Sequence, residues 1–187
     1  MSILAVYNDD MSGSPTVIRD MDKIASQLHS IGVQFEQWQA GAELEKDADQ
    51  QQVLAAYQSS IDKLNQQYGF KSIDVVSLNP DHPDKVTFRG KFLAEHTHDD
   101  FEVRFFVDGS GLFYLHVGDK VYMVFCERGD LISVPANTTH WFDMGENPFF
   151  KCIRLFTTPD GWVGNFTGSE IAKSFPSYDQ FVAQNKQ

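Results

Sequence analysis

A mainly β protein, an antiparallel barrel core preceded by helices, is the architecture this chain predicts, and three observations carry the reading. From about Ser72 onward the chain breaks into short β-branched and aromatic runs. Glycine–Asx pairs punctuate those runs, as they do where antiparallel strands are joined by tight turns. Helical periodicity is confined to the stretch before Ser72 and to the C-terminal end.

The elements follow in order. Met21, Ile24, Ala25 and Leu28 recur at i, i+3, i+4 and i+7 with Gly32 behind them, which predicts an amphipathic helix over 20–31. The partly alternating segment 33–38 reads as a strand. The acid-rich 41–52 reads as a solvated loop or helix start. Val53, Tyr57, Ile61, Leu64 and Tyr68 predict a second helix, stopped by Gly69. Strands are then expected at 73–78, 85–88, 103–107, 112–117, 121–126, 131–134 and 149–156. Asp108-Gly109, Gly118-Asp119 and Gly129-Asp130 supply the turns, and Tyr178, Phe181 and Val182 suggest a last short helix packed on the outside. No repeat or flexible linker divides the chain, so 1–187 reads as a single domain. Within it, 1–71 is a helical N-terminal decoration with strands, 72–170 the barrel and 171–187 a C-terminal helix and tail.

Composition narrows the partners. Fifteen Lys and Arg stand against 26 Asp and Glu, a net charge of −11, which repels phosphate backbones and anionic membrane surfaces. No apolar run is long enough to cross a bilayer, and the opening MSILAVYNDDMSG has no basic stretch before its apolar residues, so neither membrane insertion nor a secretory signal is expected. A cytoplasmic setting follows, in which Cys126 and Cys152, each in a strand-like run, are expected as reduced buried thiols. Nothing resembles a heptad seam, and a monomer is expected.

The histidines carry the chemistry. His96-Thr97-His98 is followed by Glu102 and Arg104, and in an extended chain these alternate positions point to one face. The pair thus delivers two imidazoles and a carboxylate to one point, and His140, from a distant strand, can complete a mixed nitrogen and oxygen set suited to a divalent metal. Glu95, Asp99 and Asp100 add negative potential near the mouth. Arg104 is expected to face the site, where a guanidinium can hold an anionic oxygen; an ion pair with an acid such as Asp108 or Glu127 is its plainer alternative. Arg154, Phe92, Phe142 and Trp162 are candidates for the pocket wall, set against ordinary core or structural roles. Glu95 and Phe101, of opposite parity, should face away from the ligands, Glu95 helping metal capture and Phe101 packing the strand that positions Glu102. His29, His82 and His116 read as ordinary hydrogen-bonded or exposed side chains.

The spacing from Gly90 through His96, His98 and Glu102 to Gly109 resembles the first motif of the cupin superfamily. Gly129, Pro135 and His140 resemble its second motif, with Asn137 in place of a usual glycine and Met144 in place of a frequent asparagine. Glu102-Val103-Arg104, 107–111, 129–136, Lys151 and 154–156 narrow the resemblance to the acireductone dioxygenases of methionine salvage. That resemblance implies a cupin-type jelly-roll barrel with His96, His98, Glu102 and His140 on one Fe(II) or Ni(II) ion per chain. It implies dioxygen and acireductone, 1,2-dihydroxy-5-(methylthio)pent-1-en-3-one, as substrates. Iron would give 4-methylthio-2-oxobutanoate and formate, and nickel 3-(methylthio)propanoate, formate and carbon monoxide. A sugar-phosphate isomerase on the same fold, or a non-catalytic ligand-binding cupin, are the competing readings; the first would want more pocket cations than Arg104 and Arg154 supply.

Overall fold

The structure, a computed structural model, describes residues 1–45 and 47–186. The chain opens with β1 (Ile3–Asn8) and β2 (Thr16–Ile18), followed by α1 (Met21–His29) and β3 (Gln34–Gln37). Helices α2 (Gln50–Ala56) and α3 (Gln58–Tyr68), strand β4 (Ser72–Leu78) and helix α4 (Lys85–Leu93) lead into the barrel strands. These are β5 (His96–Thr97), β6 (Glu102–Val117), β7 (Lys120–Glu127), β8 (Asp130–Val134), β9 (Thr139–Asp143), β10 (Phe150–Phe156) and β11 (Asn165–Phe166). A 3-10 turn at Ile171–Ser174 and α5 (Tyr178–Asn185) close the chain. Among the described residues no helix is long and apolar enough to cross a membrane.

Strand β6 organises the barrel. Its first half pairs with β8 and β10, and its second half with β7 and β9, all antiparallel. One sheet therefore runs β4–β10–β6–β8–β3 and the other β11–β5–β9–β6–β7–β1–β2. Asp108-Gly109, expected as a hairpin turn, is instead an irregularity within this one long strand, opposite a register shift at Lys151/Cys152. Gly109 has φ +66, and a Cβ there would stand 1.9 Å from the Phe149 carbonyl oxygen, so only glycine fits. The extra residue flips the pleat. Before it Phe106 joins the interior core while Val103, Phe105 and Val107 face outward; after it Phe113 and Leu115 join the interior and Leu112 and Tyr114 face outward.

Three cores result. The interior holds Phe106, Phe113, Val124, Ile132, Phe142 and Phe150, with the free thiols of Cys126 and Cys152 among them. Helices α2 and α3 cover the outer face of the first sheet through Val53, Tyr57, Ile61 and Leu64, and α5 with Phe175 covers the second through Phe181.

Most of the local readings hold. Asp20 caps α1 by accepting from the Lys23 amide at 3.0 Å, and α1 buries Ile24 and Leu28. The predicted second helix is two, broken at Tyr57 (φ −114, ψ 19) and ended by Gly69 at φ +67. Each four-residue step advances the buried face by about 40°, and the break resets it so that Tyr57 can pack edge-on against Phe105. Gly118-Asp119 is the two-residue hairpin expected, joining Val117 to Lys120. The loop reading of 41–52 holds up to Asp49, which caps α2 with a capping box, and Lys46 lies outside the described residues.

The segment 85–88 is the clear correction, since it opens helix α4 and forms no strand. Val86, Thr87 and Phe88 mimic a strand by β-branching and aromaticity. Tertiary contacts decide otherwise: Phe92 is buried, Phe88 stacks on it at 6.0 Å, and Arg89 donates to the fully buried Asp143 of β9 at 2.8 and 3.1 Å. Strands β1, β2, β9 and β11 are not among those expected: β2 and β11 have only three and two residues, and β1 and β9 are recognisable through their pairing with β7 and β6.

Candidate metal centre

Three histidines meet at one end of the barrel interior. His96 and His140 are direct partners across β5 and β9, and His98 follows β5 where the chain leaves the sheet. The chain bends at Asp99 and Asp100 before β6 begins, so alternation along one extended strand does not bring 96, 98 and 102 together. Pairing does: β5 and β9 present His96 and His140, and β6 presents Glu102 beside them.

Each imidazole is oriented by a backbone carbonyl. The Nδ1–H of His96 donates to Ala94 at 2.7 Å, that of His140 to Thr138 at 2.7 Å, and that of His98 to Val163 at 2.5 Å. A carbonyl only accepts, so Nδ1 carries the proton and, in the neutral ring, Nε2 presents a lone pair. All three Nε2 atoms are buried and without a hydrogen-bond partner among the described residues, and so is Oε2 of Glu102. That oxygen lies 3.3 Å from His98 Nε2 and 3.4 Å from His140 Nε2, and the ligating atoms of the three histidines lie within 4.8 Å of one another. Four acceptors converging in a dry interior are unfavourable unless a cation joins them. Bonds of about 2.1 Å on an octahedral ion put adjacent donors about 3.0 Å apart, and the two Glu102 separations of 3.3 and 3.4 Å are close to that spacing.

Electrostatics prepare the set. Burial, then the neighbouring His140, push the pKa of His96 down to about 3, so its ring is neutral near pH 7. Burial alone would raise the Glu102 carboxyl, yet the Arg104 guanidinium, whose Nε–H donates to Glu102 Oε1 at 2.7 Å, holds it well below the carboxylate range. Arg104 is buried, with its guanidinium carbon 4.7 and 4.8 Å from the ring centres of Phe142 and Phe113. Neither Asp108 nor Glu127 is its partner.

The other candidates separate. Trp162 packs edge-on against His96 and His98, with centroids at 5.4 and 5.2 Å, and against Phe92 at 6.0 Å. Phe92, Trp162 and Arg154 line a cavity of about 450 Å³, together with Asp74, Lys91 and Phe88. Arg154 sits across from Arg104 in register and is held by Asp74 through two hydrogen bonds of 2.8 and 2.7 Å. Phe142 belongs to the interior core beside Arg104. Glu95 points away from the histidines, as its parity requires, and is buried, accepting from Thr167 and pairing with His116. Phe101 does not pack beneath β6; it is 39% exposed. The Asp100 carboxylate accepts from Phe101, Thr157 and Thr158, and so ties the start of β6 to the end of β10. Asn137 adopts φ +61, the left-handed geometry of the glycine it replaces, and donates to the His98 carbonyl at 2.7 Å. The orienting carbonyls, Phe113 and Lys91 left no signal in the sequence because their roles exist only after the strands pair.

A jelly-roll barrel with a buried three-histidine metal-binding cluster defines the chain as a metal-binding cupin. The profile of the ARD/ARD′ family matches residues 4–164, and the chain belongs to that family. It is 57% identical over 182 residues to the acireductone dioxygenase of Methylococcus capsulatus (strain Bath), covering 97% of this chain and 98% of that one. The enzyme of that name from Aquifex aeolicus is 54% identical over 185 residues, covering 97% of this chain and 99% of that one. Among solved structures, the acireductone dioxygenase from Bacillus anthracis with a cadmium ion in its active centre superposes with a TM-score of 0.78 at 31% identity, over 89% of this chain and 98% of that one.

Proposed function

We propose that this chain is an acireductone dioxygenase, cleaving 1,2-dihydroxy-5-(methylthio)pent-1-en-3-one with dioxygen in methionine salvage. The observation that carries the reading is the set of four buried, unpartnered acceptors, Nε2 of His96, His98 and His140 and Oε2 of Glu102, beside the Arg104 guanidinium. Fe(II) or Ni(II), one ion per chain, fits that set, and would supply Lewis acidity and a template for the enediolate and oxygen. With iron the products are 4-methylthio-2-oxobutanoate and formate; with nickel they are 3-(methylthio)propanoate, formate and carbon monoxide. Both outcomes account for every atom of substrate and oxygen.

The side chains have separable tasks. The carbonyls of Ala94, Thr138 and Val163 hold the imidazoles so that their lone pairs converge. Glu102 holds Arg104 through one oxygen and keeps the other for the ion. Arg104, between two aromatic faces in a dry interior, offers its remaining N–H groups to an enolate oxygen and so favours the deprotonated substrate. Phe92 and Trp162 form an aromatic wall suited to a thioether tail.

The test is to load metal-free protein anaerobically with Fe(II) or Ni(II), mix it with acireductone and oxygen, and identify the products. Formate with the keto acid from iron, and carbon monoxide from nickel, are expected; no oxygen uptake by folded, fully loaded protein would overturn the assignment. We further propose a single-domain, monomeric, cytoplasmic protein. Strand β6, shared by both sheets, and the free Cys126 and Cys152 support the first and last of these. Sizing by light scattering tests the second.

A further inference from the structure

The cavity lined by Phe92, Lys91 and Arg154 meets the histidine cluster only through Trp162, which lines the cavity and packs against His96 and His98. The indole Nε1 is buried and has no hydrogen-bond partner among the described residues. The ring is placed instead by edge contacts to His96, His98 and Phe92, and by the ammonium of Lys91, 4.5 Å from the ring centre. Lys91 reaches it from the solvent side of α4, one residue before the buried Phe92 that fixes the helix against the barrel. The backbone around Trp162 is shaped to the ring: Gly161 has φ +69, and a Cβ on Gly164 would come within 2.9 Å of the indole, so only glycine lets the ring lie this close. The segment is also tied to the metal centre, because the carbonyl of Val163, the next residue, accepts from His98.

We infer that Lys91 is a positioning residue: its cation–π contact keeps the Trp162 indole across the histidine cluster and thereby sets how readily small molecules reach the metal. The chemistry that recognises the ring is that of a cation over an aromatic face, which arginine shares and methionine lacks. Lys91 touches neither the candidate ligands nor Arg104. Its effect therefore passes through Trp162. The role in turnover rests on the dioxygenase reading, whereas the role in metal access does not.

Two readouts that need no acireductone test it. Protein labelled with 5-fluorotryptophan and loaded with Zn(II) gives a Trp162 fluorine resonance assignable by its loss in Trp162→Phe, and the rate at which EDTA strips Ni(II) from loaded protein reports access to the ion. Lys91→Met should move the Trp162 resonance toward its solvent-exposed position and speed extraction about two- to five-fold, the size of one exposed cation–π contact. Lys91→Arg should restore both. In a Trp162→Leu background, which has no aromatic face, Lys91→Met should add nothing to the extraction rate, because the two act as one unit. An unchanged resonance and rate in Lys91→Met would overturn the inference, and so would an undiminished effect of Lys91→Met in the Trp162→Leu background. Absence of oxygen uptake by the wild-type protein would count against the proposed reaction alone.

Discussion

At the scale of single residues, Glu102 and Arg104 show why charge alone is a poor description of the site. Glu102 divides its oxygens, one to the guanidinium and one to the converging imidazoles, so that a single carboxylate ties the binding group to the metal-ligating set. A planar guanidinium fits between Phe113 and Phe142 in a way an ammonium cannot. Arg104→Lys, which keeps the charge, is accordingly expected to lower kcat by about two orders of magnitude while the metal content stays near that of the wild type. Oxygen-uptake kinetics beside elemental analysis measure both. The two imidazole pairs with self-supplied carbonyls, His96 with Ala94 and His140 with Thr138, are local geometry. That identity of the ligand residues was legible in the spacing, since histidines two apart with a carboxylate four further on have few other uses, and the resemblance completed it with His140. What holds them, such as the Val163 carbonyl 65 residues from His98, was not legible, because it depends on where a late segment returns.

At the scale of elements, α4 and β9 are joined by the most demanding polar contact in the fold. Asp143 is fully buried and accepts from Arg89, from the Gly145 amide and from the Tyr178 amide, so one carboxylate fastens α4, the end of β9 and the start of α5. Asp143→Ala leaves two amides without their acceptor and the Arg89 guanidinium with only the more exposed Asp179 and Glu146 beside it, and is expected to cost about 3 kcal/mol in urea unfolding, more than a truncation of that size would through packing alone. The same contact explains the one element that pattern reading mistook. A helix with no side-chain cap and several β-branched or aromatic residues has weak local preference, and α4 exists because Phe92 and Arg89 find partners on the barrel. Strands with turns at both ends were legible; Asp108-Gly109 was misread because a bulge and a turn use the same residues, and only the opposite strand tells them apart.

For the whole molecule, four converging buried acceptors carry a cost that a bound cation would relieve, and its binding should be felt everywhere. An ion present at a thousand times its dissociation constant adds about 4 kcal/mol to stability. Scanning calorimetry should therefore show a marked rise in Tm on Ni(II) loading, and none in His140→Ala. Acid acts where both ends of the chain meet Glu127. Burial alone would raise the Glu127 carboxyl, yet hydrogen bonds from Lys186 and the N-terminal ammonium hold it below its ordinary range. Its contribution is thus fully present above the unfolded value near pH about 4.5 and is lost as pH falls through the lower folded value. Glu127→Gln should be less stable than the wild type at neutral pH, and the difference should shrink below pH about 4 in urea titrations. The hydrogen bond from His98 to Val163 carries a last consequence. The residue that steadies one ligand is the neighbour of the indole that packs on the histidines, so order in 161–164 and retention of the ion are expected to be coupled. By thermodynamic reciprocity, an ion bound more tightly when 161–164 is ordered would in equal measure protect that stretch from a protease, which limited proteolysis with and without Ni(II) measures.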